Sequence, residues 1–99
     1  MATKFSEFMR GIEEEARAEG PEAVTQLEAL REHFRLGRQL AQARLKQNLS
    51  QTQVAKRAQV DQGDVSKIER GMANPTLSTL SAVACAVGLE VDLKRRRAT

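Results

Sequence analysis

SQTQVAKRAQVDQGDVSKIERG, residues 50–71, reads as two short helices joined by a tight corner. Ser50 stands where a helix N-cap belongs, and Gln53, three residues on, completes a capping box in which each side chain satisfies the other's orphan backbone donor. Val54, Ala55 and Ala58 then recur at helical spacing. Gln59 and Val60 form a short break. Asp61 starts a second capped segment, in which Val65 and Ile68 repeat the apolar spacing until Gly71 stops it. Two such helices, sharing an apolar seam and leaving polar side chains on the second, form the pattern of a DNA-binding helix-turn-helix. They also form the pattern of an ordinary hairpin in a small bundle, and periodicity alone leaves both readings open.

Composition narrows the class. The chain has 99 residues, enough for one domain with an appendage. Forty per cent of them are hydrophobic, yet the only aromatics are three Phe, with no Trp or Tyr. A core of Leu, Val, Ile and Ala suits packed helices, so the expected fold class is all-α, with no aromatic platforms for stacking single-stranded bases. One cysteine excludes an internal disulfide framework and a Cys-based zinc site. No run approaches the roughly 20 apolar residues of a membrane span, and the amino terminus lacks the apolar core of a signal peptide. A small cytoplasmic protein with no membrane partner is the expectation.

The net charge of +3 conceals an asymmetry. Residues 1–34 carry four basic residues (Lys4, Arg10, Arg17, Arg31) against eight glutamates, a net of −4, whereas the remainder carries twelve basic against five acidic, a net of +7. A basic domain with an acidic arm suggests two partners, one of them polyanionic; the plainer alternative is solvated helix faces with a chance imbalance.

Residues 3–18 read as an amphipathic helix, because Phe5, Phe8, Met9, Ile12 and Ala16 fall on one stripe of a 3.6-residue period, with Thr3 or Ser6 as its cap. A helix this short is marginal alone, so its stripe must be buried against its own domain or another protein. Gly20-Pro21 is a break and a restart. From there to Gln47 nothing stronger than Gly37 interrupts a helix of about 27 residues, roughly 40 Å long. Its apolar positions form two sets, Val24, Leu27, Leu30 and Phe34, then Leu36, Leu40, Ala43 and Leu45. The shift between the sets predicts a bend or a break near Gly37. His33 stands alone, which argues against a metal site.

Asn48 suits the left-handed corner that ends this helix. Beyond the central pair, Met72–Pro75 reads as a loop, Thr76 as an N-cap, and Leu77, Leu80, Ala84 and Val87 as one face of a last helix ended by Gly88. Cys85, within the apolar run AVACAV, reads as a structural side chain rather than a nucleophile. Leu89-Glu90-Val91-Asp92-Leu93-Lys94 alternates apolar and charged residues, the period of a half-buried strand. No second strand is evident, so the expectation is pairing with its own copy across a twofold axis through Leu89, Val91 and Leu93, giving a homodimer. Arg95–Arg97 form a basic tail, suited to phosphate contact or to a frayed solubilising end.

These residues carry a family resemblance. Leu40, Ala43 and Arg44, then Leu49-Ser50-Gln51, Val54-Ala55, Val65 to Gly71, Asn74-Pro75-Thr76, and Leu77, Leu80, Ala84 and Gly88 resemble the Cro/CI-type (XRE) helix-turn-helix domain over residues 36–88. The resemblance implies a bundle of about five helices, preceded here by an acidic arm (1–35) and followed by a dimerising strand and tail (89–99). It also implies an ion pair between Arg44 and Glu69. Carried over residue by residue, it places Gln51 on a phosphate and Gln62 on a base edge, where bidentate pairing with adenine suits its amide. Ser66 and Lys67 fall one turn on, suited to phosphate or guanine, with Arg70 and Asn74 holding the backbone beyond. Gly63 and Asp64 depart from the pattern, standing where the family usually has base-reading side chains. Gly63 permits close backbone approach; Asp64 suits either a cap on its own helix or a cytosine amino group.

The whole layout resembles one branch further, the HigA-like antitoxins, which bind a small RelE/HigB-like ribonuclease toxin and repress their own operon as dimers. On that resemblance Phe5, Phe8, Met9, Ile12, Val24 and Leu27 would meet a small basic toxin protein, for which an acidic arm is electrostatically suited. The alternative is a stand-alone XRE-family repressor of double-stranded operator DNA with no toxin partner. An enzyme is not expected: one His, one Cys, no Gly-rich phosphate loop and no recognisable acid/base pair leave nothing for catalysis or a cofactor.

Overall fold

The computed structural model describes residues 4–96, and among them forms five helices and no strand. They are α1 Lys4–Glu19, α2 Pro21–Lys46, α3 Gln51–Ala58, α4 Gln62–Glu69 and α5 Leu77–Ala86. The chain divides into two units, Met1–Glu32 and His33–Thr99.

In the second unit α3 packs on both α4 and α5. The core is wholly aliphatic: Leu40 of α2, Val54 and Ala55 of α3, Val65 and Ile68 of α4, and Val83, Ala84 and Val87 at the end of the chain's last helix. Val54 and Val65 are completely buried, so the seam read from the spacing of residues 50–71 is the centre of this unit. Buried branched side chains are worth roughly 1.5–3 kcal/mol each, which is what holds helices of 8 residues that would be unstable alone. Helix ends follow local chemistry. Asn48 (φ 57°) takes the left-handed corner after α2. The Thr76 hydroxyl accepts from Thr79 N–H at 3.2 Å to start α5.

α2 runs unbroken through Gly37, so the break expected there does not form. The glycine has another purpose: it is buried, and a Cβ on it would lie 2.5 Å from the Ile68 carbonyl oxygen and 2.6 Å from that of Glu69. The missing side chain lets the carboxyl end of α4 rest directly on the α2 backbone. Gly71 (φ 71°) combines a left-handed helix stop with a second close approach, since a Cβ there would lie 2.7 Å from the Phe34 ring.

One further expectation is corrected, and another is not met within a single chain. Cys85 is exposed, because Val83, Ala84 and Val87 take the core face of the same run. Residues 89–96 form no strand; Leu89 and Val91 are about 40% exposed and Leu93 is 92% exposed. Among the described residues this segment has no ladder partner, and its backbone bonds are local, Leu89 N–H to the Ala84 carbonyl and Leu93 N–H to the Asp92 carboxylate.

In the first unit Ala16 is buried, Met9, Ile12, Val24 and Leu27 are half-buried, and Phe8 is 64% exposed. Glu13 forms ion pairs with Arg31 and, at 3.7 Å, with Arg17. Among the described residues of the stripe read from sequence, Ala16 is therefore covered most and Phe8 least. The Phe5 side chain, Thr3 and Arg97 lie outside the described residues.

Two glycines give a matched test. Gly37→Ala should lower stability by about 1–3 kcal/mol through overpacking against the two carbonyls, despite Ala's better helix propensity. Gly11→Ala, with open space around it, should raise stability by up to about 1 kcal/mol. Denaturant unfolding of both variants checks the contrast.

Candidate nucleic-acid interface

The amino end of α3 is fixed by its capping box: Ser50 Oγ accepts from Gln53 N–H at 3.0 Å and Ser50 N–H donates to Gln53 Oε1 at 2.8 Å. Gln59, at φ 58°, turns the chain out of α3 in left-handed conformation. Asp61 holds the extended N-cap geometry for α4, but its side chain makes no capping hydrogen bond. With Val65 and Ile68 turned into the core, α4 leaves Gln62, Gly63, Asp64, Lys67 and Arg70 exposed and Ser66 half-buried. Asn74 is exposed in the following loop, and Arg70 Nε donates weakly (3.4 Å) to the Ser66 carbonyl.

A chain of polar contacts runs from the interior to this face. Arg44 donates from Nε to Glu69 Oε2 at 2.7 Å, from Nη2 to Glu69 Oε1 at 2.9 Å, and from Nη1 to the Leu49 carbonyl at 3.0 Å. The two side chains are 13% and 7% exposed. Bidentate pairing of this kind adds geometry to energy, fixing α4 to α2 and to the corner before α3. The guanidinium is held above its ordinary pKa, first by its hydrogen bonds to Glu69 and secondly by their Coulombic attraction, with burial acting the other way. A raised arginine pKa contributes stability that is complete below the unfolded value and lost only as pH climbs through the folded one, far into the alkaline range. Arg44 therefore stays charged at neutral pH.

Gln51 continues the chain. Its Nε2 donates to Glu69 Oε1 at 3.2 Å, and its Oε1 accepts from Gln62 Nε2 at 2.7 Å. The carboxylate only accepts, so it orients the Gln51 amide, and that amide in turn dictates which end Gln62 presents. Gln62 is exposed, and beyond its bond to Gln51 it has Oε1 and a second N–H, an acceptor and a donor of the kind that match adenine N6 and N7. Sequence reasoning placed Gln51 and Gln62 on the DNA side independently and missed their bond. The two lie 11 residues apart on different helices, and no local pattern marks the contact. Also missed were Gln47, which donates to the Val87 carbonyl at 2.7 Å, and Arg57, which donates to that of Ala86 at 3.3 Å; together they cap α5.

Gly63 has no heavy atom within 4 Å of where a Cβ would sit, so nothing inside the chain requires a glycine there. The Asp64 backbone N–H bonds to the Asp61 carbonyl at 3.0 Å, whereas its carboxylate makes no hydrogen bond or ion pair with the described residues, so Asp64 does not cap its own helix. In the first unit, Val24 and Leu27 line a small groove with Ala16 and Arg31 and are used within the hairpin, leaving Phe8 and Leu30 outward. Among the described residues no cluster of His, Cys, Asp or Glu is suited to a metal, and no helix is long and apolar enough to cross a membrane.

A motif of two short helices with a pinned second helix and an outward polar face is a helix-turn-helix. The sequence profile of the helix-turn-helix family matches residues 40–94, more than half of the chain, and the chain belongs to that family, in its XRE branch. It is also 39% identical, over 57 residues, to the immunity repressor protein of Bacillus phage phi105. That alignment covers 58% of this chain and 40% of the relative, so the chain spans well under half of the repressor's length. No solved structure matches it.

Removing one partner of the interior ion pair leaves the other charged and half-enclosed. Glu69→Gln should therefore cost about 3 kcal/mol, while Arg44→Met with Glu69→Leu should recover much of that loss, both read by thermal unfolding. Gly63→Ala should stabilise α4 by about 0.5–1 kcal/mol yet weaken DNA binding if the backbone approaches DNA here.

Proposed function

We propose that the chain is a transcriptional repressor that binds double-stranded operator DNA by laying α4 in the major groove. The observation that carries this reading is the Arg44–Glu69–Gln51–Gln62 chain of hydrogen bonds, which holds an exposed amide at the amino end of α4 in a fixed orientation. A side chain on a surface helix seldom has its rotamer set by a half-buried ion pair; a base reader benefits from it, because ordering on binding then costs less. Gln62 reads an adenine edge, Lys67 and Ser66 meet phosphate or guanine, and Arg70 and Asn74 hold the backbone. Gln51 supports Gln62 and retains one N–H for a phosphate. The net charge of +7 over residues 35–99 supplies the sequence-independent attraction. The exposed Leu89, Val91 and Leu93 pair with a second copy, giving the twofold symmetry that matches a palindromic site.

A second reading, an antitoxin that also neutralises a RelE/HigB-like toxin, draws on the net charge of −4 over residues 1–34 and on the exposure of Phe8 and Leu30. It makes a separate demand: a basic protein encoded beside this one should co-purify with it and lose affinity when residues 1–20 are removed, DNA binding being spared.

Mobility-shift titrations test the main reading. Gln62→Ala should weaken specific binding by roughly ten-fold or more. Lys67→Ala should weaken binding to all sequences and reduce the salt slope by about 1 if its contact is to phosphate. Binding unchanged by both substitutions would mean that α4 is not the reading helix.

A further inference from the structure

Asp64 presents a carboxylate in the first exposed turn of α4, two residues from Gln62 and three from Lys67. It is exposed, forms no ion pair with Lys67, and makes no side-chain hydrogen bond with the described residues; within the fold its charge meets only the favourable amino end of its own helix. On a surface that approaches a polyanion, such a charge is unfavourable unless it gains a donor on contact. The two neighbouring acids are differently placed: Glu69 is consumed by Arg44, and Asp61 sits before the helix, at its N-cap. Gly63, beside Asp64, adds no side chain to hold the helix away from a base edge.

We infer that Asp64 is a specificity-determining residue, accepting a hydrogen bond from the exocyclic amino group of a cytosine in the major groove; this rests on the DNA-binding reading above. The chemistry of the groove decides the base. Only the amino groups of cytosine and adenine donate there, whereas guanine N7 and O6 and thymine O4 are acceptors that repel a carboxylate. Adenine suits an amide better, because its N7 beside the amino group needs a donor that a carboxylate lacks. Asp64 thus works in two ways. It rewards one cytosine, and it penalises every site that offers only phosphate or an acceptor edge, so that specificity is obtained partly at the expense of non-specific affinity.

The test is selection of bound sequences from a random duplex library, using the full chain and the variants Asp64→Ala and Asp64→Asn, with circular dichroism to confirm that each is folded. The wild-type chain should enrich a motif containing a required cytosine near the adenine read by Gln62. Asp64→Ala should lose that cytosine preference by roughly ten-fold while keeping the adenine, and should bind unrelated duplex more tightly than the wild type. Asp64→Asn, with a donor as well as an acceptor, should shift the preference at that position towards adenine. A motif identical in all three proteins, or a non-specific affinity unchanged by removal of the charge, overturns the assignment of Asp64. A wild-type chain that enriches no motif overturns the DNA-binding reading on which it rests.

Discussion

The helix-turn-helix half of the molecule depends on the bidentate contact between Arg44 and Glu69. The pair joins α2 to the last turn of α4, and the third donor of Arg44 reaches the Leu49 carbonyl just before α3, so one guanidinium ties three segments together. An ion pair this enclosed contributes little net energy compared with apolar residues of the same size. Its value here is directional. Glu69 Oε1, which accepts from Arg44 Nη2, also accepts from Gln51 Nε2, and through Gln51 the orientation of Gln62 is set. Stability comes instead from the aliphatic seam, in which Val54, Val65 and Val83 are almost wholly buried.

The placement of α4 has a second determinant, less visible because it is an absence of atoms. Gly37 lies in the middle of a 26-residue helix and lets the Ile68 and Glu69 carbonyls approach its backbone. A larger residue there would push away the helix end that carries Glu69, and the polar chain with it. Thus a core glycine and a surface glutamine are linked through one helix terminus.

How much of this was legible in the sequence follows from the range of each interaction. Ser50 with Gln53, Asn48, Thr76 and the spacing of Val54, Val65 and Ile68 act within one or two turns, and their consequences are seen where the sequence put them. The sequence suggested a bend or a break at Gly37; no break forms, and the reason for the glycine lies more than thirty residues away, in the carbonyls of α4. The Gln51–Gln62 bond was missed for the same reason. Alternation in Leu89–Lys94 suggested a strand, but a strand is a property of two segments, and one chain supplies a single segment. In the acidic unit the periodicity gave the helix correctly and its burial only in part, since Phe8 stays outside while Ala16 is covered.

The central question is whether the Arg44–Glu69 pair, through Gln51, sets the orientation of Gln62. A double-mutant cycle on Gln51→Ala and Gln62→Ala, measured as affinity for a duplex the protein itself selects, addresses this directly. A coupling energy of about 0.5–3 kcal/mol between the two positions is predicted, with both single variants still folded. Strictly additive effects, or affinity indifferent to either residue, would contradict it.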